Sequence, residues 1–341
     1  MTTFATKSQA SAARAAEHLA VVAPLQPRPA PRRITPNLFA ISFGLAGLAQ
    51  TWTVAGRVTP LPSAVRDGLW IIAAAVWVVT LGFYLRSVIA GKRLQTELAD
   101  HIFGPFVSVP AIVGILLAGG LEPYARIPAL VLYLVSIGAA LLLAGKLLAI
   151  WALDDAPSTQ WHPGYYLPSV GAPIVAAGVA ANFGYLDLAR LLFGSGIVSW
   201  VLIGGILLHH LVGQQRLPAP LLPTMAILLA PPIVAGNAWL AINGGRADGI
   251  ALGLAGYALL MATVQVGLIS AYRGVPFGPG WWSYSFPLAA TVTNAILWLR
   301  VEHVAHENVW TYGMLGVLTA FIGYLVARTA IRLARHDFLP R

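Results

Sequence analysis

The sequence predicts an all-α integral membrane protein whose ten transmembrane helices form five helical-hairpin repeats, the five odd-numbered helices making an inner ring around a pore. Three observations predict this. The 341 residues are 58% hydrophobic and only 10% charged, with a mean hydropathy of +0.75, too apolar for an ordinary soluble domain. Between successive charged residues or histidines lie ten runs of 18 or more residues, each near the ~20 that a helix needs to cross ~30 Å of hydrocarbon. A proline-centred pattern recurs in every second run.

Residues 1–33 are Ala- and Pro-rich and lack the continuous apolar core of a cleavable signal peptide. They read as a disordered cytoplasmic tail, with an organelle transit peptide as the alternative for an arginine-containing, acid-poor start. The spans follow at 34–56, 68–85, 102–121, 127–145, 163–186, 191–208, 217–245, 249–272, 274–299 and 308–327. Residues 34–335 therefore form one transmembrane channel domain with no room for a separate soluble catalytic domain, and 336–341 form a short cytoplasmic C-terminal tail.

The odd-numbered spans contain "AISFGLAGLAQTW", "FVSVPAIVGILLAGG", "PSVGAPIVAAGVAANFG", "AILLAPPIVAGNAW" and "SYSFPLAATVTNAIL". Gly44, Pro110, Pro173, Pro232 and Pro287 fall at equivalent positions, 66, 63, 59 and 55 residues apart, so each period holds two spans. A proline within a helix removes one backbone hydrogen bond and frees a carbonyl that lipid cannot satisfy. Such helices belong inside, and their many glycines and alanines let neighbours approach closely. The even-numbered spans have no interior proline and more Leu, Ile, Val and Trp, which suits the lipid side.

Alternating the loops between two sides places 15 of the 21 Lys and Arg with the N-terminal tail, while the acids divide six and six. By the positive-inside rule both termini are cytoplasmic, in a cell (inner) membrane. The whole net charge of +9 then lies on the cytoplasmic face, where it attracts anions.

No Asp, Glu, Lys, Arg or His lies inside an odd-numbered span. The inner helices offer hydroxyls such as Ser42, Ser108, Ser169, Thr224, Ser285 and Thr291, and amides such as Gln50, Asn182, Asn237 and Asn294. Neutral donors ease an anion's desolvation without trapping it, whereas a cation path would carry acidic rings and a proton-driven carrier midplane charges. The residue before each aligned position is Phe43, Val109, Ala172, Pro231 or Phe286. Two aromatic rings at one level, with Pro287 fixing the kink that aims Phe286 inward, read as an apolar constriction; buried packing is the plainer alternative.

The chain resembles the tellurite-resistance/dicarboxylate transporter family, which includes TehA-type proteins and the slow-type anion channels of plant guard cells. The likeness covers roughly 36–335 and is strongest in "PFGPGWWSYSFPLA" at 276–289, with support from "HPGYYLPSVGAPIVAAGVA" at 162–180 and "LPTMAILLAPPIVAGNAWL" at 222–240. It implies a homotrimer whose protomers each have their own pore, formed by five inner helices and occluded by a phenylalanine that matches Phe286. No counterpart of the long regulatory N-terminal region or the extended C-terminal tail of the plant channels is expected here.

Zero cysteines remove disulfides, thiolate metal sites and thiol nucleophiles. His209 with His210, and His303 with His306, could begin a metal site, but the two pairs fall on opposite sides of the membrane and no metal or other cofactor is expected. No nucleophile–base pair, phosphate loop or nucleic-acid motif stands out. The expectation is a non-enzymatic anion channel whose partners are small inorganic or organic anions and the bilayer. A proton-coupled carrier or exporter of dicarboxylate, sulfite or tellurite is the alternative.

Overall fold

A computed structural model describes residues 34–91, 93–153, 160–213 and 217–339. The expected tail at 1–33 lies outside the described residues. Among these residues the structure is helical throughout, without a strand. Ten longer helices are α1 (Ala40–Ala55), α2 (Ser63–Gly91), α3 (Val109–Leu121), α4 (Arg126–Leu153), α5 (Ala172–Asn182), α6 (Leu186–Gly213), α7 (Ala230–Ile242), α8 (Gly249–Tyr272), α9 (Ser285–Val301) and α10 (Glu307–Ala334). Among the described residues nine helical stretches are long and apolar enough to cross a membrane; α9, with 17 residues, is not among them.

The even-numbered helices outrun the apolar spans predicted for them. Ser63–Gly91 carries Arg66, Asp67 and Arg86 within its ends, because long charged side chains can reach water while their stems stay beside apolar surface. The odd-numbered helices are shorter and composite. Each begins with a tight lead-in that has a proline at its start: 3₁₀ turns at Pro36–Phe39, Gly104–Ser108, Ala219–Leu229 and Pro279–Tyr284, and before α5 a 3₁₀ turn at Pro163–Tyr165 followed by a π-helical turn at Leu167–Gly171.

The aligned prolines therefore do not interrupt continuous α-helices. Pro110, Pro173, Pro232 and Pro287 sit in the first turns of α3, α5, α7 and α9. There the missing N–H has no partner to lose within the α segment, and the fixed φ suits the helix. What looks like a kink in the sequence is a change of helix type.

Burial divides the helices by parity. Of the stretch Gly104–Leu121, 89% of the residues are buried, and of the most apolar 18 residues within Gly249–Tyr272 only 6%. In contacts, α1 packs on α3, α3 on α5, α5 on α7, α7 on α9, and α9 returns to α1, while each even-numbered helix lies against the odd one before it. Polar side chains pin the outer helices to the inner ones: Trp77 Nε1 donates to Pro110 O (2.9 Å), Tyr133 Oη to Ala176 O (3.0 Å) and Gln265 Nε2 to Met225 O (3.0 Å). Past the last helix, Phe338 is buried in the main apolar cluster.

Candidate functional site: two cavities and one aromatic side chain

Small residues bring α1 and α9 together. A Cβ on Gly44 would overlap the Ser285 side chain, and one on Gly47 would lie 3.1 Å from Phe286 Cδ2 and 3.0 Å from Ala289 Cβ. The space left at Gly47 is taken by the Phe286 ring. That ring stacks on Phe43, with centroids 3.7 Å apart and planes inclined by 14°.

Two cavities meet at this stack. The wider, about 620 Å³, lies among the C-terminal halves of α1, α3, α5, α7 and α9. Gln50, Asn182, Asn237 and Thr293 line its depth, and Arg57, Arg300 and His303 line its mouth. The narrower, about 50 Å³, lies among the lead-ins and first turns of the same helices, walled by Phe43, Phe106, Val109, Tyr166, Pro231 and Trp282 among others. Phe286, Ile174, Val175 and Val234 border both cavities. All five odd-numbered helices thus run in one direction, with N-terminal ends at the narrow cavity and C-terminal ends at the wide one.

Of the residues singled out by sequence, Phe43, Val109, Pro231, Phe286 and Pro287 line the narrow cavity. Gly44, Pro110, Ala172, Pro173 and Pro232 line neither cavity; most are buried between helices. The residue before the aligned position is the one that faces the space, except on α5. There the π turn inserts an extra residue, and Gly171 and Ile174 face the cavity instead of Ala172.

Four of the six predicted hydroxyls turn out to be structural, while Ser169 Oγ is buried without a hydrogen-bond partner among the described residues. Ser42, Ser108, Thr224 and Ser285 each donate to the carbonyl three residues back, Phe39 (3.0 Å), Pro105 (2.9 Å), Leu221 (2.6 Å) and Trp282 (2.6 Å). They fasten the lead-ins, and none lines a cavity. Of the predicted amides, Gln50, Asn182 and Asn237 face the wide cavity, and Asn294 does not line it. Asn294 Nδ2 donates to Asn237 Oδ1 (2.9 Å), and Asn237 Nδ2 to Ala290 O (3.2 Å), which fixes one of them. Thr293 shares a 2.9 Å hydrogen bond with Thr51.

Two arginines escaped the sequence reading because span counting stops at the first charge. Arg57 directly follows span 34–56 and Arg300 directly follows 274–299, a position that signals the mouth of an inner helix. On the other side, His162 is fully buried; its Nδ1 accepts from Gly164 N (3.1 Å) and its Nε2 donates to Ile102 O (3.2 Å). Burial pushes its pKa down to about 4. Among the described residues no three His, Asp or Glu side chains gather where a metal could bind.

The family described as voltage-dependent anion channel matches residues 33–330. The tellurite resistance protein TehA homolog of Haemophilus influenzae is 28% identical over 302 residues, 88% of this chain and 91% of that protein. S-type anion channel SLAH4 of Arabidopsis thaliana is 27% identical over 314 residues, 88% and 84% of the two chains. The guard cell S-type anion channel SLAC1 of the same plant is 25% identical over 276 residues, 76% of this chain and 48% of that protein. The chain is a multi-pass membrane protein and belongs to the voltage-dependent anion channel family.

Proposed function

We propose that the chain is a passive channel for small anions, with α1, α3, α5, α7 and α9 as the pore wall and Phe286 as the plug. The observation that carries this reading is the place of Phe286, which borders a wide cavity on one side and a narrow apolar one on the other. An aromatic ring at such a neck leaves no hydrated path, and apolar necks exclude ions by dewetting even before they close sterically. Neutral amides beside the neck favour anions without holding them. On this reading both termini are cytoplasmic in the cell's inner membrane, and three copies assemble with a pore in each.

Currents and surface expression of the wild type, Phe286→Leu, Phe286→Ala and Phe43→Ala test the proposal together. Phe286→Ala should carry a standing current that reverses at the anion equilibrium potential, Phe286→Leu a smaller one, and dilution potentials should show anions passing and sodium not. Were the ring ordinary core, truncation would cost roughly 3–5 kcal/mol and lower expression without adding current. Well-expressed Phe286→Ala protein with wild-type current would overturn the gate, and flux that requires a proton gradient would overturn the channel.

A further inference from the structure

Formal charges on the side of the helix C-termini sum to zero, but the structure distributes them unevenly. Arg66 pairs with Asp67 (2.8 Å), Arg126 with Glu122 (2.7 Å) and Arg190 with Asp187 (3.0 Å). Asp248 accepts from Trp239 Nε1 (2.8 Å), Asn243 Nδ2 (3.0 Å) and Ala251 N (2.9 Å). Four of the six carboxylates are thereby occupied away from the wide cavity. The other two, Glu302 and Glu307, do not line it.

Arg57 and Arg300 have no carboxylate partner among the described residues, and both line the mouth of that cavity. Arg300 Nη1 donates to Arg57 O at 2.9 Å. A guanidinium has five N–H donors, so this single bond fixes the head and leaves most of its donors available. The mouth is otherwise unfavourable to anions, because five inner helices end there and each C-terminus carries roughly half a negative charge. The two guanidinium groups oppose that field at the point where an anion must pass.

We propose that Arg57 and Arg300 form an anion-recruiting site, which holds a small monovalent anion briefly before it reaches the neck at Phe286. The proposal rests on the channel reading above. In the Phe286→Ala background, Arg57→Gln with Arg300→Gln should lower the current of anions entering from the wide cavity by ~3–10-fold at low concentration. The half-saturating concentration should rise, while current in the opposite direction at saturating anion stays within about two-fold. The double Lys variant should keep most of the effect of charge, and added inert salt should shrink the difference. Unchanged concentration dependence with normal surface expression overturns the site and leaves the channel standing. If Phe286→Ala carries no current, the channel reading fails, and bromide soaked into wild-type crystals decides the site. An anomalous peak between the two guanidiniums that is lost in the double Gln variant supports it, and no peak overturns it.

Discussion

Phe286 is half-buried and stacks on Phe43. A stacked aromatic pair contributes about 0.5–1.5 kcal/mol beyond its buried area, so leaving Phe43 is a modest step where neighbouring space can receive the ring. His162 is the opposite kind of residue, locked in the lead-in of α5 with Phe106 stacked 5.7 Å away and kept neutral by burial. Its pKa in the folded protein, about 4, lies below the ~6.5 of an unfolded chain, so the unfolded state binds the extra proton first as pH falls. The stability this neutrality provides is complete above pH ~6.5 and is lost progressively as pH falls through that value toward the lower pKa of the folded state. Melting temperatures of detergent-solubilised wild type and His162→Asn should therefore converge or cross on acidification through that window; parallel curves would refute the assignment. Phe286 itself was legible from "WWSYSFP", because an aromatic among small residues stands out in a repeat. Phe106, Tyr166 and Trp282 were not, since an aromatic in a lead-in reads in sequence like any other apolar residue.

At the scale of elements, nine of the ten spans were legible because lipid demands long apolar runs, and the contrast between more and less buried helices followed from proline, glycine and alanine. The lead-ins were not, because 3₁₀, π and α turns draw on the same residues and differ only in which carbonyl each N–H meets. One such turn was enough to displace the lining of α5 from Ala172 to Gly171 and Ile174. The most extensive helix contact, α1 against α9, has Gly44 lying over Ser285. Gly44→Ala should force the two helices apart at a cost of roughly 1–3 kcal/mol. Because Phe43 and Phe286 hang from these helices, the substitution should also add a leak current. Pairing it with Ser285→Gly should recover much of the melting temperature; an unaltered melting temperature for Gly44→Ala alone would show that the contact is not tight.

Across the whole molecule the two cavities differ about twelve-fold in volume, 620 against 50 Å³, and they lie on opposite sides of one neck. The wide one is within the range of roughly 300–1,000 Å³ that takes drug-sized molecules, and its mouth bears two guanidinium groups; the narrow one is apolar and has room for little more than water. A bulky aromatic disulfonate should therefore silence Phe286→Ala channels when added on the side of Arg57 and Arg300 and do nothing from the other. Equal block from both sides, measured in excised patches, would contradict this geometry. On the channel reading the protein is, toward large anions, a funnel stopped at its stem, so its pharmacology should be strongly sided.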